Sequence, residues 1–501
     1  VSPSAAGTPV IPGFFPDPTV CRVGGDYYLA SSSFEYFPGA PVFHSRDLVA
    51  WEQVGNILTR RTQFAAGDRR GSGGIFGSTL RHHNGQFWFI TTNMSDFGGG
   101  HLLFRATDPA GPWSEPVQIA GTLGIDPDIA WDQAGNCYLT WVGFGPGPEA
   151  SGIVQARLDT AGGHLLEAPR KVWQGTGLAF PEGPHLYQVG DWWYLMLAEG
   201  GTERGHAVSI SRSTSPAGPF EACPGNPILS HRSLDTPVQN TGHADLVQKP
   251  DGTWAAVYLG VRTGGASPGY HVLGRETFLS GVTWQDGWPG FDQAGYQVPA
   301  SDHSFVEDFA APELHPRWVS PGDEPASFIS RPAADGGLEL AAGGPDSPRL
   351  LATRLRDADW TCRAAFRAVD AGAELVLRID SRHWYAVRLG QGLVQAVARI
   401  GPLTQELATA APHPGEAVQL EISSAPPARA GQPGQNVGPD EVVLGFRQAG
   451  HLTELARLDG RYLSTEVAGG FTGRVIGVSA LGGPAVLDRF EYLSAAAAPG
   501  T

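Results

Sequence analysis

Apolar and polar positions alternate along this chain in short runs, and one aromatic run recurs. It appears as Gly25-Asp26-Tyr27-Tyr28-Leu29, Gly85-Gln86-Phe87-Trp88-Phe89, Gly135-Asn136-Cys137-Tyr138-Leu139, Gly190-Asp191-Trp192-Trp193-Tyr194 and Gly252-Thr253-Trp254-Ala255-Ala256. The marker glycines are 60, 50, 55 and 62 residues apart, and periods of several tens of residues mean stacked supersecondary units. A turn glycine leading into β-formers is what the second strand of a tight hairpin requires. Four strands fit each unit, and no convincing amphipathic helix lies between units. The pattern therefore predicts an all-β fold beginning with a five-bladed β-propeller over residues 9–300. A sandwich of ordinary antiparallel hairpins is the alternative.

After Pro299-Ala300-Ser301-Asp302 the aromatic signature stops. New alternating segments at Glu374 to Ile379, Trp384 to Leu389, Leu393 to Ile400, Ala417 to Ile422 and Val442 to Phe446 read as half-buried strands, and Pro426 to Asp440 as a long loop. These predict a jelly-roll-like β-sandwich over residues 303–493.

Composition supports a turn-dense β protein over disorder, because abundant Gly (68) and Pro (41) accompany an apolar fraction of 41%. A formal charge of −16 repels phosphate backbones and argues against a nucleic-acid partner. Cys21, Cys137, Cys223 and Cys362 have no C-x-x-C spacing, so buried single thiols are expected. No apolar run approaches a membrane span, and no export signal is visible. The expectation leans cytoplasmic, with secretion after removal of a signal peptide left open, as is a homo-oligomer.

The chemistry lies at equivalent positions of the repeat. Eight or nine residues before each marker glycine stand Asp17, Gly77, Asp126, Glu182 and His243, three of them carboxylates. In a propeller the innermost strands line one channel, so equivalent positions converge on the axis. Acetal hydrolysis needs one carboxylic acid to protonate the leaving oxygen and a second carboxylate on the opposite face. A third nearby can raise the pKa of the proton donor and orient it. Neither H-E-x-x-H nor G-x-S-x-G occurs, which removes zinc-protease and serine-hydrolase readings.

Pro12-Gly13-Phe14-Phe15-Pro16-Asp17-Pro18-Thr19 and Ser32-Ser33-Phe34-Glu35-Tyr36-Phe37-Pro38-Gly39 resemble the opening of glycoside hydrolase family 43 β-xylosidases and α-L-arabinofuranosidases. Gly124-Ile125-Asp126-Pro127 and Glu182-Gly183-Pro184-His185-Leu186-Tyr187 look like that family's second and third acidic motifs, and the similarity continues through Thr241 to Leu246 and Leu273 to Thr277. The resemblance implies Asp17 as general base, Glu182 as general acid and Asp126 as the residue that tunes Glu182. It also implies inversion, with Asp17 and Glu182 about 6.5–9.5 Å apart. Asp128, a near rival to Asp126, would point to the other face of its strand and reads as structural.

The same resemblance implies Arg275 as a sugar-binding arginine and Phe34 and Phe76 as part of an apolar sugar wall. His243 would stand near the channel axis, where in some relatives a histidine contacts calcium through water. No cofactor is required, with Ca2+ in the channel as an open option. Phe471, in Ala468-Gly469-Gly470-Phe471-Thr472-Gly473, would help close the pocket and limit cleavage to terminal residues. Where β-xylosidases often read Ile-Trp-Ala-Pro, this chain reads Ile75-Phe76-Gly77-Ser78, which leaves the choice between xylose and arabinose open. The expected activity is release of terminal β-D-xylose, with α-L-arabinofuranosidase activity as companion or replacement, from xylo- or arabinoxylo-oligosaccharides. A non-catalytic carbohydrate-binding propeller is the distant rival.

Overall fold

The aromatic runs are strands Asp26–Ala30, Gln86–Asn93, Cys137–Phe144, Trp192–Glu199 and Trp254–Arg262, each the second strand of its own antiparallel sheet. The computed structural model describes residues 7–63, 71–331, 336–344, 349–369, 371–427 and 437–494. The first strands of the five sheets are Thr19–Val23, Ile75–His83, Gly124–Trp131, Glu182–Val189 and Val238–Gln248. We number these sheets blades I to V. Each contains four strands in sequential order, and blade III carries a fifth, Arg170–Trp173.

Period-two alternation explains why the sheets stack radially. In blade II, Phe87 and Phe89 face blade I and join the core of Cys21, Ala30, Val42 and Leu80, whereas Trp88 and Ile90 turn to Ile129, Leu139 and Trp141 of blade III. Ile153 and Leu195 belong to the core between blades III and IV, and Met196 and Tyr258 to that between IV and V. Val20, Leu29 and Phe43 of blade I then pack with Val247, Ala255 and Val257 of blade V, which closes the ring. Each blade is thus apolar on both faces, a pattern that an isolated two-layer sandwich would leave half exposed to water. The propeller expectation holds, and the hairpin-sandwich alternative fails on this closure.

The chain divides into two compact units, Val1–Ile11, Phe15–Arg262 and Glu276–Pro299 in the first, and Pro12–Phe14, Thr263–Arg275 and Ala300–Thr501 in the second. Two short segments from within the propeller sequence, Pro12–Phe14 and Thr263–Arg275, group with the second unit. That unit is a two-sheet sandwich. Among the described residues one sheet orders Leu351–Arg354, Val475–Ala480, Ala373–Asp380, His383–Gly390, Leu393–Ile400 and Leu403–Ala410. The other is centred on Trp360–Val369, Ala485–Ser494, Gln419–Ala425 and Glu441–Gln448. Leu375, Leu377, Tyr385 and Val387 of the first sheet share a core with Leu420, Ile422, Leu444 and Phe490 of the second.

The five strands expected here are present within one to three residues at each end. Most of the loop expected from Pro426 to Asp440 lies outside the described residues. All four cysteines are buried free thiols, and burial pushes Cys21 up to about 12, so it is inert near neutrality. Among the described residues no helix is long and apolar enough to cross a membrane.

Candidate active site

The first strands do not run straight through the axis. Their ladders slip between Ile75 and Ser78, Ile125 and Asp128, Glu182 and His185, and Gly242 and Asp245. A bulge inserts an unpaired residue and re-aims its side chain. Gly77, Asp126, Gly183 and His243 sit in these slips, and Asp17 holds the matching place just before strand Thr19–Val23. Asp17 (φ 53°), Asp126 (φ 53°), Gly183 (φ 54°) and His243 (φ 45°) all adopt left-handed backbone, a conformation Asp and His visit more readily than bulkier residues.

The aimed side chains meet. His243 Nδ1 lies 3.3 Å from Asp17 Oδ1, while Ser32 Oγ donates to Asp17 Oδ2 at 2.6 Å. Asp126 Oδ2 accepts from the Gly183 amide at 3.1 Å, tying it to the peptide immediately after Glu182. A Cβ on Gly77 would collide with Asp126 Oδ1 and approach His243 Cε1 to 3.1 Å, and one on Gly183 would stand 2.8 Å from His243 Nε2. Equivalent residues of blades I, III, IV and V therefore share one cluster, and the absent side chain of Gly77 in blade II leaves room for it. Asp17 and Asp126 are buried, whereas Glu182 is half-buried.

Burial opposes a charge on His243, but the hydrogen bond and charge of Asp17, followed by the charges of Asp126 and Glu182, outweigh it and raise the imidazole to about 9. The folded value thus exceeds the ordinary unfolded value of about 6.5. This ion pair contributes fully below that pH and is lost as pH rises through about 9. Calorimetric melting between pH 6 and 10 should show stability falling over this window, and His243→Gln should flatten that part of the profile. A wild-type profile identical to the variant's would contradict the pairing.

One layer further along the same strands lies a second cluster. Arg81 donates through Nη1 to Asp245 Oδ2 at 2.8 Å and through Nη2 to Asp128 Oδ1 at 3.0 Å. Asp245 Oδ2 also accepts from Thr19 Oγ1 at 2.8 Å and from the Val20 amide at 2.9 Å, and its Oδ1 accepts from Tyr187 at 2.5 Å. Asp128 Oδ2 accepts from the Leu186 amide at 3.0 Å, and its Oδ1 is 3.2 Å from His185 Nδ1. Asp128 is thus a fully buried member of a network spanning all five blades, which bears out its structural reading.

Calcium takes six to eight oxygen ligands. Among the described residues no three His, Cys, Asp or Glu side chains gather so as to hold a metal. Asp17 and Asp126 engage His243, Ser32 and the Gly183 amide, and Arg81 pairs with both carboxylates beneath them.

Phe34 is buried at φ 51°, exchanges backbone hydrogen bonds with Ile75 and meets Phe76 edge-on at 5.3 Å. These two rings pack against each other within the first unit. Arg275 and Phe471 belong to the second unit, where the guanidinium lies 5.5 Å over the Phe471 ring. Thr465 N donates to His271 O and Arg474 N to Val272 O, and Glu466 pairs with His271 Nδ1 at 2.6 Å, which fixes the chain before Arg275 against the turn carrying Phe471. Sequence reasoning gave no role to Ser32 or Arg81. Ser32 lies inside the quoted opening motif, whereas nothing in the blade II repeat distinguishes Arg81.

Carboxylates from separate blades drawn toward one buried histidine are the kind of group that acetal hydrolysis uses. Residues 6–289 match Glycosyl hydrolases family 43, and residues 306–493 match the Beta xylosidase C-terminal Concanavalin A-like domain. A non-reducing end alpha-L-arabinofuranosidase from Bacteroides ovatus is 37% identical over 97% of this chain and 94% of its own length. A xylosidase/arabinosidase from Butyrivibrio fibrisolvens is 46% identical over 57% of this chain and 56% of its own. The solved structure of a xylan beta-1,4-xylosidase from Bacillus halodurans superposes with a TM-score of 0.86 at 28% identity, covering 97% of this chain and 100% of that one. The chain belongs to glycosyl hydrolase family 43.

Proposed function

We propose that this enzyme releases terminal β-D-xylose or α-L-arabinofuranose from xylo- or arabinoxylo-oligosaccharides with inversion, using Asp17, Asp126 and Glu182. The observation that carries this is the convergence of equivalent residues from separate blades on His243. Asp17, held by Ser32 and His243 and buried, is placed to keep its negative charge and take a proton from water as the oxygen attacks the anomeric carbon. Half-buried Glu182 gives its proton to the leaving oxygen as the carbon–oxygen bond breaks. Asp126 acts through the Gly183 amide to hold that acid in register, a positioning role. The reading needs no metal: His243 pairs with Asp17, and Arg81 with Asp128 and Asp245.

The two sugars remain paired in this reading. The full-length likeness to an arabinofuranosidase supports the furanose arm, and the xylosidase likenesses support the pyranose arm. Release of 4-nitrophenol from β-xylopyranoside and α-arabinofuranoside, with the first-formed sugar anomer followed by NMR and a chelator present in a parallel run, tests the whole. Turnover of at least one glycoside, an inverted product and indifference to chelation are expected. A retained product would refute the roles of Asp17 and Glu182, and loss of activity to the chelator would refute the metal-free axis.

A further inference from the structure

Phe180 is the most conspicuous exposed aromatic near the acids. It stands two residues before Glu182, on the segment that leads into the first strand of blade IV, and is 71% exposed. A lone exposed phenylalanine needs no explanation, but this one also adopts left-handed backbone at φ 51°, which is an outlier for a bulky aromatic. Two neighbours border it. Gly200 N donates to Ala179 O at 2.6 Å, and Phe180 Cδ2 would lie 3.4 Å from a Cβ on Gly201, itself at φ 75°. One edge of the ring thus rests on a glycine shelf at the end of blade IV's second strand, and most of the ring remains open to solvent.

The proton donor must face the oxygen of the leaving group, so whatever is attached to that oxygen lies beside Glu182. We propose that Phe180 is a leaving-group platform, on which the apolar face of the sugar next to the scissile bond stacks. This rests on the assignment of Glu182 as general acid and deepens it by naming where the departing sugar binds. Aromatic rings supply this kind of contact in ligand sites.

The test compares substrates that share a pentosyl group and differ only in what leaves. For the disaccharide, Phe180→Ala should lower kcat/KM by about three- to tenfold. For the corresponding pentosyl fluoride, whose leaving group is a single atom, kcat/KM should stay within twofold, and Phe180→Trp should restore the disaccharide value. Equal losses on both substrates would show a merely structural role and overturn the proposal, as would no loss on either. A fall in oligomeric mass by light scattering in Phe180→Ala would identify a second copy of the chain as the occupant and overturn it too. If the wild-type enzyme cleaves the fluoride but the Glu182 variant keeps full disaccharide activity, the acid assignment fails instead, and the two failures are distinguishable.

Discussion

Glu182→Ala is expected to cut turnover of a disaccharide by about 10²- to 10⁴-fold, the range that positioned acid–base groups supply, while sparing much of the rate on a nitrophenyl glycoside. Nitrophenolate departs as a stable anion and needs little proton transfer, whereas a sugar alkoxide cannot leave without it. Asp17→Ala should lose a comparable factor on both substrates, because activation of water does not depend on what departs. The geometry sets this asymmetry. Asp17 is buried between Ser32 Oγ and His243, a setting that stabilises its anion, and Glu182 is half-exposed at the edge of the cluster, followed by the amide that Asp126 holds. Kinetics of both variants on both substrates check the assignment. A leaving-group dependence confined to Asp17→Ala would exchange the two roles, and uniform losses in both would leave neither assigned.

Gly25, Gly85, Gly135, Gly190 and Gly252 made the propeller legible because each blade repeats one hairpin whose second strand must be apolar on both faces. The site was legible for the same reason: a repeat carries equivalent positions to one axis, and Asp17, Asp126, Glu182 and His243 interrupted an otherwise apolar pattern there. The bulges that aim these residues were not legible, since a one-residue slip is a property of paired backbones and leaves no mark in either strand alone. Arg81 was hidden because a lone arginine in a strand defaults to the surface. In the second unit, Leu403–Ala410 and His451–Asp459 escaped notice because their outward faces carry polar residues with exposed leucines among them, which blurs the alternation. The transfer of Pro12–Phe14 and Thr263–Arg275 to that unit is a tertiary fact with no local signature.

Arg81→Met is expected to destabilise the propeller by about 3–5 kcal/mol, the cost of leaving a buried charge without its partner. Two carboxylates are at stake. Asp128 and Asp245 are fully buried, and although burial alone would push Asp245 up, Arg81 with His185 and Tyr187 holds it well below the usual carboxylate range. In the wild type that depressed group contributes stability above the unfolded value of about 3.9 and loses it as pH falls lower. Without the guanidinium the sign reverses, because burial then favours the protonated acid, so the variant's deficit should shrink as pH drops from 7 toward 5. Denaturant unfolding at both pH values checks this against Arg46→Met, whose 84% exposed side chain pairs with Asp26 at the surface and should change stability by less than about 0.5 kcal/mol. A deficit no larger than that control, or one that grows in acid, would refute the compensating role. The network also bears on catalysis, because Thr19, Asp128, His185 and Asp245 lie two or three residues beyond Asp17, Asp126, Glu182 and His243 on the same strands. Fixing the lower layer fixes the spacing of the upper one, so Arg81→Met should lose activity even at temperatures where it remains folded.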